Sequence, residues 1–148
     1  LSIGAGVALS KKRDKKNGNI YVLLSDGEIN EGMIWESVMF SSHHKLNNLI
    51  AIIDNNKIQA LGHSKNIINM SSINKKFKSF NWNVKEVNGH NFNELINKLQ
   101  NNHNTKPLVL IANTVKGKGL LSMENKLSSH YEVIKDEDTK NLYLNNIY

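Results

Sequence analysis

The feature that most constrains the fold is a pair of short, continuously apolar runs that each end in polar turn residues. Residues 19–24 lead into Ser25-Asp26-Gly27, and residues 48–53 lead into Asp54-Asn55-Asn56. Apolar runs of this length, bounded by turn residues, are typical of strands buried on both faces of a parallel sheet. Because open parallel sheets bind ligands beyond the carboxyl ends of their strands, Asp26 and Asn56 are predicted to meet at a ligand-binding edge.

A carboxylate and an amide oxygen at that edge indicate a site for a hard cation. Such oxygens suit Mg²⁺ or Ca²⁺, and Mg²⁺ binds a few protein oxygens together with phosphate oxygens of a ligand. The residues therefore predict a metal–diphosphate site. Taken alone, Asn56 is better interpreted as an Asx turn at the end of a strand.

The remaining sequence predicts an alternation of helices and strands. Helical spacing and capping residues predict helices over 1–12, 30–45 (with Asn30 as the cap), 71–80 and 91–101, and a short helix from Asp136. Strands are predicted over 82–87 and 108–112, and loops over 57–70 and 114–131. This order predicts one α/β domain over 1–148, with a mostly parallel sheet and helices on both faces.

Composition limits the class of protein. The chain has 148 residues, a net charge of +6 and no cysteine, which excludes disulfides and cysteine-based zinc sites and fits a reducing, cytoplasmic compartment. Its apolar runs are far shorter than the roughly 20 residues that span a bilayer, so no membrane association is predicted. The basic run at 11–16 is interpreted as a solvated helix end, with a nucleic-acid patch as the remote alternative. Because the chain begins without Met inside a Gly-rich phrase, we expect a truncated N-terminus.

Several phrases together resemble the transketolase family. Its thiamine-diphosphate motif is similar to residues 25–32, Trp35-Glu36 and 54–58 of this chain, in order and at family spacing. Further similar phrases are Gly89-His90-Asn91, residues 112–119, Met123-Glu124-Asn125 and the opening Leu1-Ser2-Ile3-Gly4-Ala5-Gly6. The likeness covers essentially the whole chain and is greatest to the family's N-terminal, diphosphate-binding half, which is often a separate subunit.

The resemblance implies roles for individual residues. Asp26, Asn56 and the backbone carbonyl of Ile58 would bind Mg²⁺, with Ca²⁺ as a possible substitute. Gly27 would donate its backbone N–H to the diphosphate, and Glu28 is placed among the cofactor-binding residues. The helix that begins nearby would add its positive end.

Three further residues receive a role from the resemblance. His130 matches a loop histidine near the diphosphate and the substrate, so it is assigned to cofactor binding and catalysis. Glu31 and Glu36 match acids at the subunit interface. Solvated side chains remain the alternative for all three. His90 is interpreted as structural.

Two departures from the family pattern are apparent. Ser25 stands where the family usually has Gly, which is compatible with cofactor binding if the backbone there does not need a positive φ. Ser129 stands where Trp usually precedes the loop histidine.

The implied activity is the transfer of a two-carbon ketol unit from a ketose phosphate to an aldose phosphate. Thiamine diphosphate carries out the carbanion chemistry and the protein binds and orients it. The pyrimidine-binding half would come from a C-terminal domain or subunit, in a dimer of paired halves. The alternatives are another thiamine-diphosphate enzyme, such as a deoxyxylulose-phosphate synthase or a 2-oxoacid dehydrogenase component, and a non-catalytic basic domain that binds nucleic acid.

Overall fold

The structure of the chain, a computed structural model, describes residues 1–100, 105–145 and 147. The helices are α1 (Ser2–Arg13), α2 (Gly32–His43), α3 (Ser64–Ile67), α4 (Ile73–Ser79), α5 (Phe92–Gln100) and α6 (Glu137–Leu144). The strands are β1 (Ile20–Ser25), β2 (Leu49–Asn55), β3 (Ile58–Gln59), β4 (Gly62–His63), β5 (Asn83–Asn88) and β6 (Leu108–Asn113). Residue 101, the predicted end of the fourth helix, lies outside the described residues.

The main sheet has the order β1-β2-β6-β5, and every neighbouring pair is parallel. Ser25 is in register with Asp54, and Asn55 with Asn113, so three strands end at the same edge. The α/β fold with a parallel sheet, predicted from the apolar runs, is confirmed.

Most of the core lies between the sheet and one layer of helices. Phe77 of α4 is fully buried, and its ring lies 5.3 Å from Trp35 and 5.5 Å from Trp82. Both indole N–H groups donate to backbone carbonyls: Trp35 to Ile29 and Trp82 to Val38. The aromatic cluster therefore joins α2 and α4 to the sheet with its polar atoms satisfied.

A smaller cluster covers the opposite face of the sheet. Leu95 and Leu99 of α5 pack against the buried Val87, Leu110 and Ala112 of β5 and β6. Helices thus lie on both faces, as predicted, although α5 covers only the β5–β6 side.

Within the described residues, the strand β1 forms one edge of the sheet and pairs with β2 alone. Two of its large apolar side chains are exposed, Tyr21 at 55% and Leu23 at 71%. No helix within the described ranges is long and apolar enough to cross a membrane.

The basic run at the end of α1 has structural contacts. The ammonium group of Lys12 donates to the backbone carbonyls of His44 and Lys45, which follow α2. A cation beside the last carbonyl groups of a helix, here those that end α2, interacts favourably with the negative end of the helix dipole. Lys16 forms an ion pair with Asp14 at 3.3 Å.

Two local predictions were wrong. The second helix begins at Gly32, because residues Glu28–Asn30 form a 3₁₀ turn and Glu31 is an extended N-cap, so Asn30 does not cap it. The segment 57–70, predicted as a loop, contains the antiparallel pair β3–β4 and the single helical turn α3. Strands of two residues leave no periodic pattern that could predict them.

Candidate functional site

The predicted ligand edge is built from the residues that follow β1 and β2. The backbone N–H of Asp26 donates to the carbonyl of Asp54 at 3.1 Å, which extends the ladder by one residue and brings the two turns together. The Asp54 carboxylate then accepts from the Asn56 amide at 3.2 Å and from the Thr114 hydroxyl. The turns after β1, β2 and β6 are thus joined by direct hydrogen bonds.

Asp26 is the most unusual residue of this edge. Its side chain is 3% exposed, so a carboxylate is held almost entirely away from water. One oxygen, Oδ2, accepts a hydrogen bond of 2.6 Å from the Ser64 hydroxyl, whereas Oδ1 is buried and has no partner among the described residues. An unsatisfied buried carboxylate oxygen is uncommon in native proteins, and here it is available to an ion, a ligand or a water molecule.

Asn56 forms the Asx turn that the residue alone had suggested. Its Oδ1 accepts from the backbone N–H of Ile58 at 2.9 Å, across Lys57, whose φ is +68°. An amide oxygen has two lone pairs, so this hydrogen bond leaves one for a cation. Ile58 itself is buried at the start of β3.

Gly27 lies where an anion would approach the turn. Its backbone N–H meets no acceptor in the described part of the chain, and its φ of −73° requires no glycine. A Cβ at this position would lie 3.2 Å from Cγ and Cδ of Gln59. Glycine is therefore favoured at this position by the limited space beside Gln59 and not by the backbone conformation.

Gln59 is a site residue that the sequence reasoning did not find. Its Oε1 accepts from the Asn30 amide at 3.4 Å, while its Nε2 and the Asn30 Oδ1 are buried without partners in the described ranges. Unpaired polar atoms therefore surround Gly27 as well as Asp26.

The Ser25 departure is accommodated by the local geometry. Ser25 ends β1 with an extended backbone, and its hydroxyl accepts from the backbone N–H of Glu28 at 3.0 Å. Serine thus caps the 3₁₀ turn, a role that side-chain oxygens perform at helix starts. Glu28 itself is exposed and is held here only through its backbone.

A cavity of about 600 Å³ opens beside Asp26, which lines it, whereas Gly27, Asn56 and Ile58 are not among its lining residues. This volume is in the range of small-molecule sites. Its charged and titratable lining consists of Lys57, Lys65, Lys75, His63, Asp26 and Glu86. The excess of cationic groups suits an anionic ligand.

The predicted interface acids both lie on the solvent side of α2. Glu31 precedes the helix and Glu36 lies within its second turn; both are exposed and neither pairs with a cation within the described ranges. Met33, Glu36 and Phe40 share one exposed side of the helix at spacings of three and four residues. We call these three residues the α2 patch.

His130 ends a 3₁₀ turn (Ser128–His130) and is exposed. Its ring contacts that of Tyr131 at 5.1 Å, and the Tyr131 hydroxyl donates to the carbonyl of Ala60 in the β3–β4 turn. The structure therefore attaches the His130 turn to the segment that follows Ile58, without a hydrogen bond from His130 to Asp26 or Asn56 in the described part.

His90 has a structural contact, in agreement with its interpretation. Its Nε2 accepts from the backbone N–H of Val115 at 2.8 Å, which fixes the turn after β5 to the loop after β6. The adjacent Gly89 permits this approach, because a Cβ there would lie 2.4 Å from the Thr114 methyl group.

The donor set at the edge fits a magnesium–diphosphate group. No cluster of three or more His, Cys, Asp and Glu side chains occurs among the described residues. Asp26, Asn56 and the Ile58 carbonyl supply only one carboxylate, which is what Mg²⁺ requires when phosphate oxygens complete its coordination.

Comparison with known proteins gives a family match over most of the chain. The family described as "Transketolase, thiamine diphosphate binding domain" matches residues 8–145. An apulose-4-phosphate transketolase subunit from Phocaeicola vulgatus is 38% identical over 135 residues, covering 90% of this chain and 48% of that protein. The 6-deoxy-6-sulfo-D-fructose transketolase subunit SqwG of a Clostridium species is 36% identical over 139 residues, covering 93% and 50%.

Among solved structures, the transketolase of Campylobacter jejuni superposes with a TM-score of 0.78 at 29% identity, covering 86% of this chain and 21% of that one. The chain spans about half the length of these two curated relatives.

Proposed function

The chain belongs to the family of transketolase thiamine diphosphate-binding domains, and from that premise we propose that it is the metal- and diphosphate-binding half of a ketol transferase. The reaction would move a two-carbon ketol unit from a ketose phosphate to an aldose phosphate. The observation that carries the proposal is the buried, unpaired Oδ1 of Asp26 beside the free N–H of Gly27 in the described part of the chain. The transketolase match favours this reaction over that of other thiamine-diphosphate enzymes.

The residues would divide the work of holding the cofactor. Asp26, Asn56 and the Ile58 carbonyl would bind Mg²⁺, and Gly27 would donate to the diphosphate. Lys57 and Lys65, which line the cavity, would balance its remaining charge. Thiamine diphosphate, when bound, supplies the carbanion chemistry.

A partner would complete the site. The two curated relatives are named as transketolase subunits. On this chain the α2 patch combines apolar side chains with a carboxylate that has no cation partner in the described ranges, the kind of surface that a partner covers. Glu31 and Glu36 would lie in that interface, and the assembly would be a dimer of paired halves. His130, held beside the β3–β4 turn by Tyr131, would reach the diphosphate and the sugar substrate in that assembly.

Calorimetric titration of thiamine diphosphate, with and without Mg²⁺, tests the proposal. The protein is the complete N-terminal chain co-expressed with its partner, compared with Asp26→Ala and with Asp14→Ala as an exposed control. We expect saturable binding that needs Mg²⁺ and Asp26 but not Asp14. Binding that survives Asp26→Ala, or no binding by a well-folded complex, would refute the proposed site.

A further inference from the structure

The hydroxyl of Ser64 contacts the carboxylate proposed to bind the metal. Ser64 lies 38 residues beyond Asp26, and its Oγ is 2.6 Å from Asp26 Oδ2. We propose that Ser64 is a positioning residue that restrains Asp26 so that Oδ1 is its preferred metal-binding oxygen, and that it thereby favours Mg²⁺ over Ca²⁺. This inference rests on the proposed function, because it concerns the same metal.

Two hydrogen bonds fix Asp26 and leave one carboxylate oxygen without a hydrogen bond in the described part of the chain. The backbone N–H of Asp26 is held to the Asp54 carbonyl, and Oδ2 is occupied by the Ser64 hydroxyl. The side chain is 3% exposed, and Oδ1 is its unpaired atom within the described residues. A hydrogen bond to an ionised carboxylate is stronger than one between neutral groups, so it restrains the carboxylate effectively.

Ser64 also joins the two sources of metal ligands. Its backbone N–H donates to the carbonyl of Lys57 at 3.0 Å, which closes the segment that contains β3 and β4. Lys57 lies between Asn56 and Ile58, the other two proposed ligands. One residue therefore binds the turn after β2 through its backbone and the residue after β1 through its hydroxyl. The distance between the two sets of ligands depends on this link.

The two cations differ in what they need from a carboxylate. Mg²⁺ demands near-ideal octahedral geometry with short bonds, whereas Ca²⁺ accepts six to eight oxygens and often binds both oxygens of one carboxylate. The Ser64 hydrogen bond takes one lone pair of Oδ2 and restrains the carboxylate, so Oδ2 is the poorer ligand and Oδ1 the better one. Without the hydroxyl, the two oxygens become more nearly equivalent and the carboxylate freer to turn, which suits Ca²⁺ better.

The test measures the concentration of each cation that gives half-maximal binding of thiamine diphosphate. The complete chain with its partner is compared with Ser64→Ala, with Ser64→Thr, which retains the hydroxyl, and with Ser79→Ala. The Ser79 variant loses a comparable hydroxyl hydrogen bond, 2.7 Å to the Lys76 carbonyl, far from Asp26 in the chain. Thermal unfolding without ligand shows whether each variant is folded.

We expect the Mg²⁺ requirement of Ser64→Ala to rise about tenfold, as is common when a hydrogen-bond partner of a metal ligand is removed. The Ca²⁺ requirement of the same variant should rise less or fall. Ser64→Thr and Ser79→Ala should keep the parent's ratio of the Mg²⁺ requirement to the Ca²⁺ requirement. If Ser64→Ala changes the Mg²⁺ and Ca²⁺ requirements by the same factor, or changes neither, the inference is overturned and the proposed function still stands. Binding of thiamine diphosphate by the parent protein without any metal ion would overturn both the inference and the proposed function.

Discussion

Replacing Asp26 by asparagine should separate the stability of this fold from its capacity to bind ligand. The substitution keeps the shape of the side chain and removes its charge. Asp26 is 3% exposed, its Oδ1 is unpaired within the described residues and its Oδ2 accepts from Ser64. Without metal, the carboxylate is thus a buried anion with one side-chain hydrogen bond.

The size of the effect follows from these contacts. An unsatisfied buried polar group costs about 1–3 kcal/mol, and more when it is charged. The amide of Asp26→Asn can still accept from Ser64, but as a neutral group its hydrogen bond is weaker by about 1 kcal/mol. We therefore expect the ligand-free variant to match or exceed the parent in free energy of unfolding by about 1 kcal/mol, or about 2–4 °C in Tm.

Bound ligand should make the parent more stable than Asp26→Asn, the reverse of the order without ligand. Thiamine diphosphate and Mg²⁺ at 100 times their Kd add about 2.7 kcal/mol to any protein that binds them only when folded. The parent should gain this stabilisation, whereas Asp26→Asn should gain none. Thermal unfolding followed by circular dichroism, with and without ligand and Mg²⁺, measures both effects. Asp14→Asn, in an exposed ion pair, is the control. A variant that keeps the ligand-dependent shift, or that unfolds several degrees below the parent without ligand, contradicts the reasoning.

Three further changes test other parts of the structure. Gly27→Ala should fold normally but weaken cofactor binding in calorimetry, because its Cβ would lie 3.2 Å from Gln59 and one of the two residues must move. An unchanged affinity would show that the close approach of Gly27 and Gln59 does not matter for binding. Phe77→Ala should cost about 3–5 kcal/mol in urea unfolding, since the ring is fully buried; a loss below about 1 kcal/mol would contradict the packing. The hydrogen bond from Tyr143 to Glu132 raises the pKa of the Tyr143 hydroxyl. Its stabilising effect is therefore present below the unfolded pKa and is lost as pH rises through the folded pKa. Glu132→Gln should lower the pKa of Tyr143 in an ultraviolet titration, and an unchanged titration would exclude the contact in solution.

The sequence predicts the sheet and its ligand edge because both depend on local patterns. Long apolar runs define β1, β2 and β6, and parallel strands necessarily bring their carboxyl ends together. The approach of the turns after β1 and β2 was therefore predictable, and in the structure Asp26 and Asn56 both form hydrogen bonds with Asp54. The start of α2 was not predictable, because Asn30 is a good cap by residue type, and the 3₁₀ turn that displaces it is formed by backbone hydrogen bonds, with one further hydrogen bond to the Ser25 hydroxyl.

The contacts that refine the site are invisible to sequence patterns. Ser64 reaches Asp26 from a single helical turn in a polar segment, and nothing in its neighbours distinguishes it from other serines. Gln59 becomes important only because its side chain lies over Gly27. His130 was identified by family resemblance, and its position depends on Tyr131, whose hydrogen bond spans 71 residues.

The unpaired edge at β1 has a consequence for how this chain can be produced. An edge strand presents a row of free N–H and C=O groups that can template pairing with another chain. Here the edge carries the exposed Tyr21 and Leu23, and no charged residue lies in the strand before Asp26. A 148-residue chain made alone is therefore expected to add strands from its own copies and to form β-rich aggregates as its concentration rises. Production together with a partner that covers this edge is therefore expected to raise the yield of unaggregated protein.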